Sequence, residues 1–82
     1  MFYTYVLESL ISGRFYIGST QDVSERLNRH NGNKEKATCN RGPWQLLHQK
    51  SFTTRSEAVR LELQLKKWKN KTRIIQWIRR DT

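Results

Sequence analysis

The sequence has little of what disulfide-bonded or membrane-spanning proteins require. Cys39 is the only cysteine among 82 residues, so no disulfide can form within the chain, which fits a reducing compartment. No apolar run approaches the roughly 20 residues that a transmembrane helix needs. The start, Met1-Phe2-Tyr3, lacks the basic leader of a secretory signal. We therefore expect one small domain in the cytoplasm with no membrane partner.

Acidic residues are also scarce. Seven Asp and Glu stand against 16 Lys and Arg, which gives a formal net charge of +9. Such an excess informs about partners rather than fold, and nucleic acid is the commonest polyanionic partner. A merely soluble basic protein is the alternative. Because so short a chain has no room for a separate targeting module, further substrate selection is expected from a protein partner or from this one surface.

The first half of the chain has the pattern of a hairpin followed by a helix. Aromatic and β-branched residues from Phe2 to Glu8 predict a strand. Ser12-Gly13 predicts a turn, and Arg14 to Gly18 predicts a returning strand. Thr20 is the predicted N-cap of a helix that ends near Asn31-Gly32.

The second half has the pattern of one strand and two helices. Asn33 to Pro43 is a polar, basic loop, and Trp44 to Phe52 has strand character. Thr54-Arg55-Ser56-Glu57 is a capping box, which predicts the start of a helix. A last helix surrounds Ile74, Trp77 and Ile78, and its start is left open because Lys69-Asn70-Lys71 contains neither Gly nor Pro. The order β-β-α-β-α-α predicts an α+β fold, in which helices flank a three-stranded antiparallel sheet.

Three side chains on the predicted helices are candidates for chemistry. Glu62 lies beside Leu61 and Leu65 and should point partly inward, and a buried carboxylate is costly unless it is paired or bound to a metal. An ion pair with one of the many basic residues is the alternative. Arg26 and His30 are four residues apart and share a helix face. A guanidinium there could clamp a phosphate and offset charge in a transition state, whereas a snorkelling arginine and a structural histidine are the alternatives.

Two tyrosines lie on the predicted hairpin strands. Tyr5 is in the first strand, and Tyr16 precedes Ile17-Gly18 in the second. A strand tyrosine can act as a general base near a metal or an arginine, whereas a half-buried tyrosine with a satisfied hydroxyl is an ordinary strand residue. Gly18 would permit the close approach of a backbone or a ligand.

Taken together, these residues resemble the GIY-YIG nuclease family. The matching features, in family order and spacing, are Tyr3-Thr4-Tyr5, Tyr16-Ile17-Gly18, Arg26, His30 and Glu62. The most telling stretches are FYIGSTQDVSERLNRH, residues 15–30, and EAVRLELQLK, residues 57–66. The resemblance covers nearly the whole chain and is greatest to short, stand-alone bacterial members.

The resemblance implies the same α+β fold and a role for each matching residue. Tyr5 and Tyr16 would be the two motif tyrosines, one of them the general base. Arg26 would contact the phosphate, and His30 would be an active-site histidine. Glu62 would be the sole protein carboxylate ligand of one Mg²⁺ or Mn²⁺, and one carboxylate can suffice because a hard divalent cation keeps several waters.

The chain also departs from the family pattern in three places. Many members carry an asparagine well after the glutamate, whereas Asn70 follows Glu62 by only eight residues and is not assigned that role. The first motif reads Tyr-Thr-Tyr rather than Gly-Ile-Tyr, and Ser19 stands where some members have lysine. The core set of tyrosines, arginine, histidine and glutamate remains intact.

Basic residues around this set are the predicted nucleic-acid-binding residues: Arg26, Arg29, Lys34, Lys36, Arg41, Lys66 and Lys67. The first hypothesis is a metal-dependent endonuclease that hydrolyses phosphodiester bonds in DNA with weak sequence specificity. One alternative is a catalytically weak or inactive nucleic-acid-binding module of the same fold, and another is a subunit whose basic face docks an acidic protein. The sequence leaves open DNA against RNA and duplex, branched or single-stranded substrates.

Overall fold

The computed structural model describes residues 1–81, and their elements follow the order β-β-α-β-α-α. These elements are β1 (Phe2–Ser9), β2 (Phe15–Thr20), α1 (Val23–Asn31), β3 (Trp44–Phe52), α2 (Arg55–Trp68) and α3 (Lys71–Asp81). The strands form one antiparallel sheet in the order β2-β1-β3. The predicted α+β fold is confirmed. Over the described range, no helix is long and apolar enough to cross a bilayer.

The central strand β1 divides the molecule into two layers. Its side chains alternate between the faces of the sheet, so that Tyr5 and Leu7 pack on the side of α1 while Val6 packs against Leu65 and Ile74 of the other two helices. All five side chains are at most 4% exposed. The two small clusters together form the core of this domain.

The start of α1 differs from the sequence prediction. Asp22 is the N-cap, and its Oδ1 accepts a hydrogen bond from the backbone N–H of Glu25 at 3.0 Å. The prediction of Thr20 as the cap is wrong, because Thr20 is the last residue of β2 and pairs with Tyr3. The strand therefore continues two residues beyond Gly18, and the helix begins correspondingly later.

The ends of α2 explain how two helices form without a glycine or proline between them. The capping box at its start is confirmed, because the Thr54 hydroxyl accepts from the backbone N–H of Glu57 at 3.3 Å. At its end Lys69 adopts the left-handed conformation with φ of 49°. The Oδ1 of Asn70 then accepts from the backbone N–H of Arg73 at 3.1 Å and starts α3.

We predict that Leu65→Ala destabilises the fold strongly while Leu63→Ala, two residues away on the same helix, does not. Leu65 is fully buried and Leu63 is 60% exposed. A buried Leu→Ala change costs about 2–5 kcal/mol, whereas an exposed change usually costs less than about 0.5 kcal/mol. Denaturant unfolding of both variants measures the difference. Equal losses would contradict the assignment of this face of α2 to the core.

Candidate active site

Three aromatic rings meet on the α1 face of the sheet, near its β2 edge. The β1–β2 register places Tyr16 opposite Leu7 and Tyr5 opposite Gly18, so both tyrosines project from the same face. The ring of Tyr16 lies 4.7 Å from that of His30, and the ring of Tyr5 lies 6.4 Å from Tyr16 and 6.0 Å from His30. Three residues that the sequence singled out are thus brought together.

His30 is held by hydrogen bonds at both ring nitrogens. Its Nδ1 lies 2.6 Å from the Thr38 hydroxyl, and its Nε2 lies 3.0 Å from the Tyr5 hydroxyl. Because Thr38 donates to the Glu35 carbonyl, it accepts from Nδ1–H, and Nε2 accepts from Tyr5. The imidazole is 1% exposed, and this burial lowers the pKa of His30 and favours the neutral ring.

The Tyr5 hydroxyl is correspondingly a buried, neutral donor. Burial raises the pKa of Tyr5 to about 12, Tyr16 adds to this rise, and the Arg26 guanidinium opposes it. A Cβ atom at Gly18 would lie only 2.5 Å from this hydroxyl oxygen. A close approach at Gly18 is therefore present, but the approaching group is the side chain of Tyr5 rather than the predicted backbone or ligand.

Glu62 reaches the same edge of the sheet from α2. Its Oε1 accepts from the Ser19 hydroxyl at 2.7 Å, and its Oε2 accepts from Lys66 Nζ at 2.7 Å. Lys66 Nζ also lies 6.0 Å from the ring centroid of Tyr16. The side chain of Glu62 is 17% exposed, so it both faces inward and forms an ion pair, as the two sequence interpretations proposed.

Arg26 lines a cleft of about 280 Å³ beside this cluster, together with Ser19 and Arg55. Its Nη1 lies 3.8 Å from the Glu35 carboxylate, to which Arg29 donates at 2.8 Å. The hydrogen bond from Arg29 holds the pKa of Glu35 below its ordinary value. Glu35 thus keeps two arginines beside the site as fixed positive charges.

The other predicted nucleic-acid-binding residues do not join this cluster as a group. Lys34, Lys36 and Arg41 are exposed on the segment between α1 and β3, and Lys67 is exposed on α2. Within the described range, Lys66 is the one lysine that contacts Glu62.

Sequence reasoning missed three residues that position the site. They are Glu35, which pairs with the arginines; Thr38, which holds His30; and Ser19, which holds Glu62. The sequence did contain an indication of the role of Glu35, because Glu35 is the only acidic residue in the basic segment from Asn33 to Pro43. Thr38 had none, since an isolated threonine in a polar loop is unremarkable.

The side chains at Glu62 fit a hydrated divalent cation better than a fully protein-coordinated one. Within residues 1–81, no group of three or more His, Cys, Asp and Glu side chains gathers as a metal site. Mg²⁺ usually keeps several waters and takes one or two carboxylates plus phosphate oxygens of the substrate. The carboxylate of Glu62, whose side chain is 17% exposed, matches that requirement where a cation takes the place of the Lys66 ammonium at Oε2 or shares the carboxylate with it.

Known proteins resemble this chain over most of its length. A family model described as the GIY-YIG catalytic domain matches residues 1–75. A UPF0213 protein of Halobacterium salinarum is 42% identical over 67 residues, which cover 80% of this chain and 86% of the relative. A UPF0213 protein of Streptococcus agalactiae is 46% identical over 61 residues, which cover 73% and 68%.

A solved structure agrees with the family match and with these two relatives. The solution NMR structure of a UPF0213 protein from Bacillus halodurans is 34% identical, superposes with a TM-score of 0.59, and is matched over 95% of this chain and 83% of its own. Its agreement with the sheet and helices described above places the similar sequences on a similar fold. With its family match, its relatives and its fold in agreement, the chain belongs to the GIY-YIG family of nucleases.

Proposed function

We propose that this protein is a divalent-metal-dependent endonuclease that hydrolyses phosphodiester bonds in DNA. The proposal is carried by the meeting of Glu62 and Tyr16 around Lys66 at the β2 edge. A carboxylate able to hold a cation and a phenol able to accept a proton thus both lie next to one lysine. Arg26 lines the cleft next to it.

Tyr16 is the better candidate for the general base. Tyr5 is buried, donates to His30 and has a pKa raised to about 12, so it resists ionisation. Tyr16 is only half-buried and its ring borders Lys66. In its ionised form the Tyr16 oxygen takes one proton from the attacking water. The resulting hydroxide oxygen bonds to phosphorus while the bond to the leaving oxygen breaks.

The remaining residues position the phosphate and the base. Arg26 offers guanidinium donors to the non-bridging oxygens, where negative charge grows in the transition state. A Mg²⁺ or Mn²⁺ ion held by Glu62 would supply charge that offsets the phosphate and stabilises the leaving oxygen. The rings of Tyr5 and His30 form the surface against which the ring of Tyr16 packs.

A nucleic-acid-binding module without hydrolysis is the second candidate. One observation favours it, because both carboxylate oxygens of Glu62 already have protein partners, Ser19 and Lys66. A metal ion would have to displace the ammonium group of Lys66 or share the carboxylate with it.

We predict that Glu62→Gln abolishes metal-dependent cleavage and leaves the fold intact. The amide keeps the shape of the side chain and removes the charge that a hard cation needs. The matched control is Glu57→Gln on the same helix, since glutamine preserves the capping box. Cleavage of a panel of branched, duplex and single-stranded substrates with Mg²⁺, Mn²⁺ or chelator measures the effect. If Glu62→Gln cleaves as fast as the parent, the metal assignment is wrong.

We predict that Tyr16→Phe lowers the single-turnover rate by about 10²- to 10⁴-fold, the usual contribution of a general base. Tyr5→Phe serves as the comparison, because it removes a hydroxyl that positions His30 rather than one that takes the proton. Saturating enzyme, a binding isotherm in Ca²⁺ and a melting curve separate chemistry from affinity and folding. A full rate for Tyr16→Phe would move the base role to Tyr5, and full rates for both would favour the binding module.

We predict that affinity for nucleic acid falls steeply with salt and depends little on sequence. Each phosphate contact releases condensed counterions, with a slope of about 0.9 per contact on duplex DNA. Titrations between low and physiological ionic strength measure this slope for one sequence and its scrambled version. A flat salt dependence, or a strong preference for one of the two sequences, would contradict an electrostatic interface.

A further inference from the structure

A groove beside the candidate active site has a composition that the proposed hydrolysis does not use. It is an open depression of about 440 Å³ between β2, the end of α2 and the start of α3. Its floor is apolar: the partly exposed ring of Phe15 lies there, over the buried core side chains of Ile17, Leu65 and Ile74. Its rim carries four cations and no acid: Arg14, Lys66, Lys69 and Lys71.

The rim cations fall into two kinds. Lys66 is paired with Glu62, and Lys71 donates to the Gly13 carbonyl at 2.7 Å and lies 3.7 Å from Glu8. Arg14 and Lys69 have exposed side chains with no hydrogen-bond or ion-pair partner among residues 1–81. Two positive charges on the rim are therefore free to meet an anion.

Lys69 occupies a position that favours glycine. Its φ of 49° is left-handed, a conformation that costs a residue with a Cβ about 1–2 kcal/mol and glycine almost nothing. Helices commonly end on glycine at this position for that reason. A lysine at this position lowers the stability of the fold and places an unpaired ammonium group on the groove rim. A role in binding would account for this cost.

We propose that this groove binds a single strand of nucleic acid leading away from the candidate active site, with a base against the ring of Phe15 and phosphates against Lys69 and Arg14. The groove adjoins the site at Lys66, which lines the groove and contacts Glu62. The partly exposed ring of Phe15 favours a single strand over a duplex, since only unpaired bases expose their faces for stacking. The inference rests on the proposed nucleic-acid substrate but not on its hydrolysis.

The decisive variant is Lys69→Gly, for which stability and affinity should change in opposite directions. Removing the left-handed strain should raise the melting temperature by about 4 °C or more. Loss of one phosphate contact should weaken binding of an oligothymidylate about two- to fivefold at low salt, and lower the salt slope by about 0.7. Binding is measured in chelator, so that a failure of hydrolysis leaves this test intact.

Three control variants distinguish binding in the groove from a general effect of lost positive charge. Arg60→Gln removes one exposed cation from the other flank of α2, where it lines a cavity with Lys50 and Phe52, and should leave the salt slope unchanged. Lys69→Gln should lose affinity without gaining stability. Lys69→Arg should retain the parent affinity.

A comparison of ligands identifies what the groove recognises. The parent should bind oligothymidylate at least about fivefold more tightly than an abasic strand of equal charge, because each stacked base adds affinity. Lys69→Gly should affect the single strand more than a duplex. Three results would overturn the proposal: unchanged strand affinity in Lys69→Gly, an equal loss on duplex, or poly-glutamate bound as tightly as oligothymidylate. Unchanged affinity alongside Glu62-dependent cleavage would reject the groove and leave the nuclease proposal standing.

Discussion

The pairing of β1 on both edges and its burial on both faces is the constraint on which the rest of the structure depends. Its even and odd residues go to different layers, so that Tyr5 faces α1 while Thr4 donates to the buried carbonyl of Ala58 on α2 at 2.6 Å. A slip of one residue would exchange the two faces. Because α2 is fixed to β1 through Thr4, the distance from Glu62 to the β2 edge is fixed as well.

This constraint also explains why the candidate site lies at an edge. Neutral groups, Tyr5 and His30, are buried where their hydrogen bonds can be satisfied, and every buried side-chain nitrogen or oxygen among residues 1–81 has a partner. Charged groups are costly to bury in so thin a core. Glu62 and Arg26 therefore remain partly exposed at the rim, where a phosphate and a hydrated cation could reach them.

The sequence predicted those parts of the molecule that depend on periodicity and residue type. Alternation and helical spacing located all three strands and three helices, and the family motifs selected the side chains that now lie around Tyr16. Prediction failed where a single side-chain hydrogen bond decides, as at the start of α1, where Asp22 rather than Thr20 is the cap. It also missed partners distant along the chain, since Ser19 and Glu62 are separated by 43 residues.

The few acids in the chain account for how its excess positive charge is arranged. Asp22 caps α1, and Glu57 accepts hydrogen bonds from the Thr53 and Thr54 hydroxyls at the start of α2. Four others lie against basic side chains: Glu8 at Lys71, Glu35 at Arg26 and Arg29, Glu62 at Lys66, and Asp81 at His48 and Lys50. Cations beside an acid are held in one geometry, as positioning a reacting phosphate requires. Cations without one, such as Lys69, keep their conformational freedom and suit a flexible strand whose phosphates have no fixed register. The pairing of acids with cations thus leaves held cations, such as Arg26 and Arg29 beside the site, and free cations, such as Lys69 and Arg14 on the groove rim.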